Sequence, residues 1–331
     1  MVKGLAKKLI RTVTQWLRCL TSVARDAPRM PEDLKHALST VEAVMALQTS
    51  GEMLDEDFWA QKLRQAAHII DKGLQRPDAE PGHSAKWYQS AQEALSHLRG
   101  TPILADPSLT WALKKLSDYE SAQSGRFRAA EPLPGREPAL SQESLRDLIT
   151  SRRSVRFFEE REISADVVER VVEVINWSPT SCNRQPAKVY VANDPTLARS
   201  CLDTCQGASG FGDFVPCFLC FCADLRSYWL PKEMWLPVID VSLGIQNCCL
   251  MAQAEGLGIT LLSWAQHTKD EDARLRSMLG IPEYYEIVVN GALGYPAQRP
   301  EIPSRKAIEL TCVVRSSSRT DDKVDVKADA S

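Results

Sequence analysis

The heptapeptide Ser151-Arg152-Arg153-Ser154-Val155-Arg156-Phe157 sets up to three guanidinium groups and a hydroxyl close together. Arginine presents a fixed fork of donors that fits phosphate oxygens bidentately, so this stretch suits an anionic phosphate. A solvated basic turn uses the same residue types. A second stretch, Ser178-Pro179-Thr180-Ser181-Cys182-Asn183-Arg184-Gln185-Pro186, packs hydroxyls and amides between two prolines. Such side chains donate and accept, and could read a heteroaromatic edge with alternating C=O and N–H groups. A helix end followed by a turn has the same composition.

Two further stretches are punctuation when taken singly. Asp240 to Gly258 is an apolar run containing Gln246-Asn247 and ending Gly256-Leu257-Gly258, where a glycine would cap a helix in the left-handed region. Leu279-Gly280-Ile281-Pro282 is followed by Gly294-Tyr295-Pro296 and then Arg305-Lys306. The ten cysteines fall mostly in apolar contexts, where free cysteine behaves as a small buried hydrophobe. Cys217 and Cys220 have CxxC spacing, but on a strand Cys220 and Cys222 share one face and Cys217 takes the other. No second CxxC or CxxH pair follows, so no metal site is expected.

The elements that must carry these groups change character along the chain. Residues 2–25 read as a basic amphipathic helix, suited to an anionic membrane surface or to docking on the protein with a solvated face. Residues 31–120 continue as helices, with apolar periodicity over 58–74 and 87–98, giving an all-helical N-terminal region over 1–120. Within it His68 and Lys72 share a helix face, with no role assigned. Residues 121–140 read as a linker and 316–331 as a disordered tail. Between them, residues 141–315 mix helices at 141–150, 164–177 and 237–254 with strands at 188–193, 215–223, 259–264 and 286–293. No strict βαβ rhythm appears, so the class is α+β. The helix at 237–254 is apolar nearly all round and should be buried.

Taken together and in order, these motifs make the chain from about Ser144 to Lys306 resemble the FMN-dependent nitroreductase family. The resemblance implies a nitroreductase-like mixed sheet flanked by helices, with FMN held at a homodimer interface. Arg152 and Ser154, with neighbouring Arg153, would hold the FMN phosphate and ribityl chain, and Arg156 would lie near the pyrimidine edge. Thr180, Ser181 and Asn183, with Pro179 and Gln185 in the same loop, would come from the partner subunit. Arg305 and Lys306 would complete the phosphate site, and Leu262, Ser263 and Trp264 would lie against the ring. A β-prone segment at 309–314 would cross to the other subunit.

The expected activity is hydride transfer from NAD(P)H through FMN to a small electrophile: a nitro compound, quinone or activated alkene. The flavin carries such chemistry, so no His–Asp pair or nucleophile is required. A flavin-dependent dehydrogenase or oxidase, or a non-catalytic flavin-binding scaffold near a membrane, is the alternative. Gly207-Ala-Ser-Gly-Phe-Gly212 has the wrong spacing for a dinucleotide fingerprint. Two features depart from the family: Trp177 before Ser-Pro, and the aromatic stretch at 228–237. The net charge of −3 argues against nucleic-acid binding through bulk charge. With no long apolar segment and no clean signal sequence, the expected location is cytoplasmic, with peripheral membrane contact through residues 2–25 an open option.

Overall fold

The computed structural model describes residues 54–76, 82–124, 139–226, 228, 233 and 235–315. The expectations for residues 2–25, for the start of the helical region, for most of the linker and for the tail lie outside the described residues. So does half of the aromatic stretch at 228–237.

Among the described residues three helices make up the N-terminal unit: α1 (Glu56–Leu74), α2 (Ala85–Leu98) and α3 (Pro107–Gln123). α1 starts where the Asp55 carboxylate accepts from the Phe58 amide, and Glu56 and Asp57 in its first turn meet the positive end of the helix dipole. α3 starts on Pro107 behind the Asp106 cap and runs through Gln123, past the expected start of the linker. The seam is built of Leu63, Ala66, Ala67 and Ile70 against Ala91, Ala94, Leu98, Leu109 and Ala112. Its alanines let the helix axes approach closely.

The second unit follows: α4 (Gln142–Ser151), α5 (Ala165–Glu173), β1 (Ala187–Ala192), α6 (Pro195–Leu202), β2 (Cys217–Asp224), α7 (Leu236–Ala254), β3 (Gly258–Ser263), α8 (Lys269–Leu279) and β4 (Tyr285–Gly294). The four strands pair antiparallel in the order β1-β2-β4-β3. A single parallel bridge from Ser154 to Ile259 extends the β3 edge. β2 is buried on both faces, which is why it reads as an unbroken apolar run. Phe218, Cys220 and Cys222 face one core with Ala198, Leu202, Trp264 and Leu275. Cys217, Leu219, Phe221 and Ala223 face the other, with Val171, Ile175, Val241, Ile245 and Cys248. The alternation of cysteines therefore follows the strand pleat.

Three expectations need correcting. The helix expected at 164–177 is α-helical only to Glu173, then tightens to a 3-10 turn at Val174–Trp177. The tightening seats Ile175 on Gly244 of α7, where a Cβ would lie 2.5 Å from Ile175 Cγ1 and 2.7 Å from its carbonyl oxygen. α7 is not wholly buried within this chain. Val241, Ile245, Cys248 and Ala252 enter the core, whereas Trp235 just ahead of it, Ile239 and Leu243 are 73%, 50% and 47% exposed. Residues 309–314 form no strand; a 3-10 turn at Ile308–Leu310 leads into exposed chain that pairs with neither edge of the sheet, β1 or β3.

Candidate functional site

The basic ribbon is laid out by backbone contacts. α4 ends at Ser151, and Arg152 turns extended. The Arg153 guanidinium folds back to donate to the carbonyls of Thr150 and Arg152, both at 2.6 Å, and so caps its own helix. The ribbon then runs along β3: Ser154 bridges Ile259, and Thr260 Oγ1 donates to the Val155 carbonyl at 2.6 Å. Gly258 makes this approach possible, since a Cβ there would stand 2.4 Å from Val155 Cγ2. Buried Val155 and Phe158 are the anchors, Arg152 and Ser154 are half-buried, and Arg156 is exposed. Among the described residues neither Arg152 nor Arg156 has a carboxylate within ion-pair distance. Arg152 lies near Cys249 of α7, whose thiol burial pushes up to about 11 against the pull of that cation.

β3 alternates beside the ribbon. Leu262 is buried in the core with Trp264, so only its backbone faces outward, while Leu261 and Ser263 are exposed. Leu261 was not singled out from sequence, because the register of the strand decides which of two adjacent leucines is free.

The loop before β1 is held in an unusual conformation. Cys182, Asn183 and Gln185 each have φ of 55°, a left-handed geometry that costs non-glycine residues about 1–2 kcal/mol apiece. Such conformations persist only where neighbours over-determine them. Three sets of contacts do so. Thr180 accepts from the Gln185 amide through Oγ1 at 3.2 Å and from the Asn183 amide through its carbonyl at 3.0 Å. Asp240 accepts from the Ser181 amide at 2.7 Å, from the Ser181 hydroxyl at 3.0 Å and from the Tyr228 hydroxyl at 2.8 Å. Buried Arg184 donates to Glu233 at 2.9 Å and lies over the Tyr228 ring, 4.6 Å from its centroid. Burial and the Asp240 carboxylate hold the Tyr228 phenol well above its ordinary pKa, so it stays a donor. Pro179 is exposed, and Thr180, Ser181, Asn183 and Gln185 are half-buried, with Gln185 Nε2 donating to Asn183 Oδ1 at 3.0 Å.

Asp240 and Arg184 were missed as site-building residues. Asp240 is the one charged residue in α7, and a lone buried carboxylate in an apolar helix signals a structural or functional partner. Arg184 sits inside the loop motif itself, but its partners lie in distant segments.

The two halves stand apart within one chain. The loop is tied to α7 near its start through Asp240, and the ribbon reaches the other end, where Gln253 approaches Ser151 at 3.5 Å. At about 1.5 Å per residue those positions are about 20 Å apart along the helix. They also flank opposite edges of the sheet, β1 and β3. Arg305 and Lys306 lie on exposed chain, with the Arg305 guanidinium 3.3 Å and 3.1 Å from the carbonyls of Pro303 and Ser304. The same stretch exposes Ile302, Ile308, Leu310, Val313 and Val314. Among the described residues no cluster of His, Cys, Asp and Glu could hold a metal ion, and no helix is long and apolar enough to cross a membrane.

The model of the nitroreductase family matches residues 149–208 and 203–295. A protein of Archaeoglobus fulgidus named "Putative NADH dehydrogenase/NAD(P)H nitroreductase" is 31% identical over 153 residues, covering 45% of this chain and 83% of that protein. An FMN reductase (NADPH) of Bacillus subtilis is 24% identical over 178 residues, 48% of this chain and 70% of its own. Among solved structures, an FMN-dependent nitroreductase from Clostridium difficile is similar at 18% identity and a TM-score of 0.42, over 47% of this chain and 90% of that one.

Proposed function

The chain belongs to the nitroreductase family, an oxidoreductase family, and on that premise we propose that it is an FMN-dependent NAD(P)H oxidoreductase reducing a small electrophile such as a nitro compound, quinone or activated alkene. The observation that carries the FMN reading is the pinned ribbon at 152–156. It offers the Arg152 and Arg156 guanidinium groups without carboxylate partners among the described residues, together with the Ser154 hydroxyl. That donor set fits a phosphate monoester and the ribityl hydroxyls next to it. The loop supplies the complementary chemistry, because Asn183 and Gln185 carry amides that match the alternating donors and acceptors of a pyrimidine ring.

Bound FMN would supply the hydride chemistry, accepting from the nicotinamide and delivering to the second substrate. The residues have simpler tasks. Arg152 and Ser154 bind and orient, Arg153 keeps the end of α4 closed, and Arg156, exposed in the single chain, would stabilise negative charge once a bound ring and a second copy exclude water there. Arg305 and Lys306 add positive charge to the phosphate end. Exposed Leu261 and Ser263, with the backbone of Leu262, provide a surface for the ring face.

Both halves of this site meet only if a second copy contributes the loop, so the proposal includes a homodimer. Its support is the separation along α7 and an exposed apolar stripe of Trp235, Ile239 and Leu243 at helical spacing. A two-fold axis on that stripe would make it self-complementary. The apolar chain beyond residue 300 would lie across the partner.

Titration of the protein with FMN, followed by quenching of flavin fluorescence, tests the assignment. Wild type should bind one FMN per chain, and Arg152→Ala with Arg156→Ala should weaken binding by at least tenfold. Equal affinity in wild type and the double variant would remove the ribbon from the site.

A further inference from the structure

The loop packs against α1, a helix outside the family match. Gln61 and Gln65 stand one turn apart on α1, both buried. Gln61 Nε2 donates to Asp224 at the end of β2, at 2.7 Å. With its amide assigned oxygen-inward, Gln65 accepts from Arg184 Nη2 at 2.8 Å and Nε at 3.3 Å. Further polar contacts hold the start of α1 to the sheet unit. Arg226, buried and paired with Asp224 at 2.7 Å, also reaches Asp55 at 2.9 Å; Tyr284 donates to Asp55 at 3.3 Å; and Lys188 meets Asp57 at 3.5 Å.

Arg184 is thus the place where the two units meet the strained loop. Only 3% exposed, its guanidinium is shared among Gln65, Glu233, the Tyr228 ring and, at 3.5 Å, the Ser181 carbonyl. Tyr228 in turn donates to Asp240, which holds the Ser181 amide. A continuous polar chain runs from the helical unit, through Arg184, to the backbone on which Asn183 and Gln185 are mounted. Arg184 lies between two of the left-handed residues, Asn183 and Gln185, so fixing its side chain fixes the backbone on both sides.

We propose that the helical N-terminal unit is a working part of the flavin site, with Gln65 and Arg184 as positioning residues that hold the loop in its left-handed form. The proposal rests on the FMN reading above. It follows that FMN affinity depends on how α1 is seated, and that displacement of the helical unit loosens the flavin without any change in residues that touch it. A helix of mere structural use would contribute to global stability and leave the loop's own order unchanged.

The test uses the full chain with three variants: Gln65→Leu, which keeps the volume and removes the acceptor; Gln65→Glu, which restores an acceptor for the guanidinium; and Arg184→Lys, which keeps the charge and loses the fork. Two quantities are read: the FMN Kd, and amide hydrogen exchange at residues 181–185 in the FMN-free protein. A hydrogen bond to a charged group, lost from a buried site, supports an expectation of roughly tenfold weaker FMN binding for Gln65→Leu and Arg184→Lys. Exchange at the Ser181 and Gln185 amides should rise at least tenfold, with the centre of α7 unchanged. Gln65→Glu should recover FMN affinity to within threefold of wild type. If wild type binds FMN and Gln65→Leu binds equally well, the inference is wrong and the FMN reading stands. The same holds if loop exchange rises while Kd does not move, or if Gln65→Glu fails to rescue. If wild type binds no FMN, the reading and the inference fall together.

Discussion

Replacing Asp240 by alanine removes the acceptor on which the loop's start is hung, and the structure lets the loss be estimated. Oδ2 takes the Ser181 amide and the Tyr228 hydroxyl, and Oδ1 takes the Ser181 hydroxyl. The half-buried serine hydroxyl can turn to water, so two donors are orphaned. At about 1–3 kcal/mol for each unsatisfied buried donor, the variant loses about 2–6 kcal/mol. Opposing the anchor is the left-handed strain of Cys182, Asn183 and Gln185, about 3–6 kcal/mol in sum. An anchor and a strain of the same size mean that the loop relaxes once the anchor is gone. Carrying about 1.4–3 kcal/mol of lost order into the binding step weakens FMN by about 10–100-fold.

Asp240→Asn separates charge from geometry. An asparagine can set its oxygen toward the Ser181 amide and Tyr228 hydroxyl and its NH2 toward the Ser181 oxygen, keeping three contacts while losing the charge. Neutral hydrogen bonds are worth about half of charged ones, so FMN should weaken only about threefold. The assay is fluorescence titration with FMN on both variants, with urea unfolding followed by circular dichroism alongside. Asp240→Ala binding FMN within twofold of wild type would refute the reasoning that this carboxylate holds the loop in its binding form.

Other consequences concern the join between the units and the copies. Arg226→Met strands the buried Asp224 carboxylate and should cost about 3–5 kcal/mol in urea unfolding; a cost below about 1 kcal/mol would contradict the pairing described. Burial holds the Lys62 amine down at about 8, with Glu93 opposing and the Arg184 charge adding to the depression. The folded state therefore binds fewer protons than the unfolded one between about pH 8 and 10.5, and stability rises with pH there. Wild type should gain on Lys62→Met across that window in paired melting curves, and a flat difference would count against it. Asp55 runs the other way. Burial alone would raise its carboxyl, but hydrogen bonds from Arg226 and the Phe58 amide hold it below the ordinary value of 3.8. Its contribution is complete above that value and lost as pH falls through the lower folded one, so wild type should lose its advantage over Asp55→Ala in acid. Ending the chain after residue 300 should shift the dimer–monomer balance toward monomer in light scattering, and an unchanged mass would remove the arm from the interface.

Much of the sheet unit was legible because its signals are local. The four strands follow from apolar runs, and the face each cysteine of β2 takes follows from the pleat. The ribbon and the loop were found from residue type alone. What escaped depended on contacts between distant segments. Arg184 reads as one more polar residue in a motif until Gln65 is brought against it. Leu262 and Leu261 are equivalent in sequence, and only the register of β3 against β4 buries the first and frees the second. The outward stripe of α7 and the apolar chain after residue 300 mislead for one common reason. Their composition predicts burial, and among the described residues of their own chain nothing covers them.

The central claim is tested most directly by the visible absorption spectrum of the purified full chain reconstituted with FMN, recorded anaerobically before and after addition of NADPH and, separately, NADH. A flavin band near ~450 nm that bleaches with one of them is the predicted result. A bound flavin that neither nucleotide bleaches, or a chain that takes up no FMN, would contradict it.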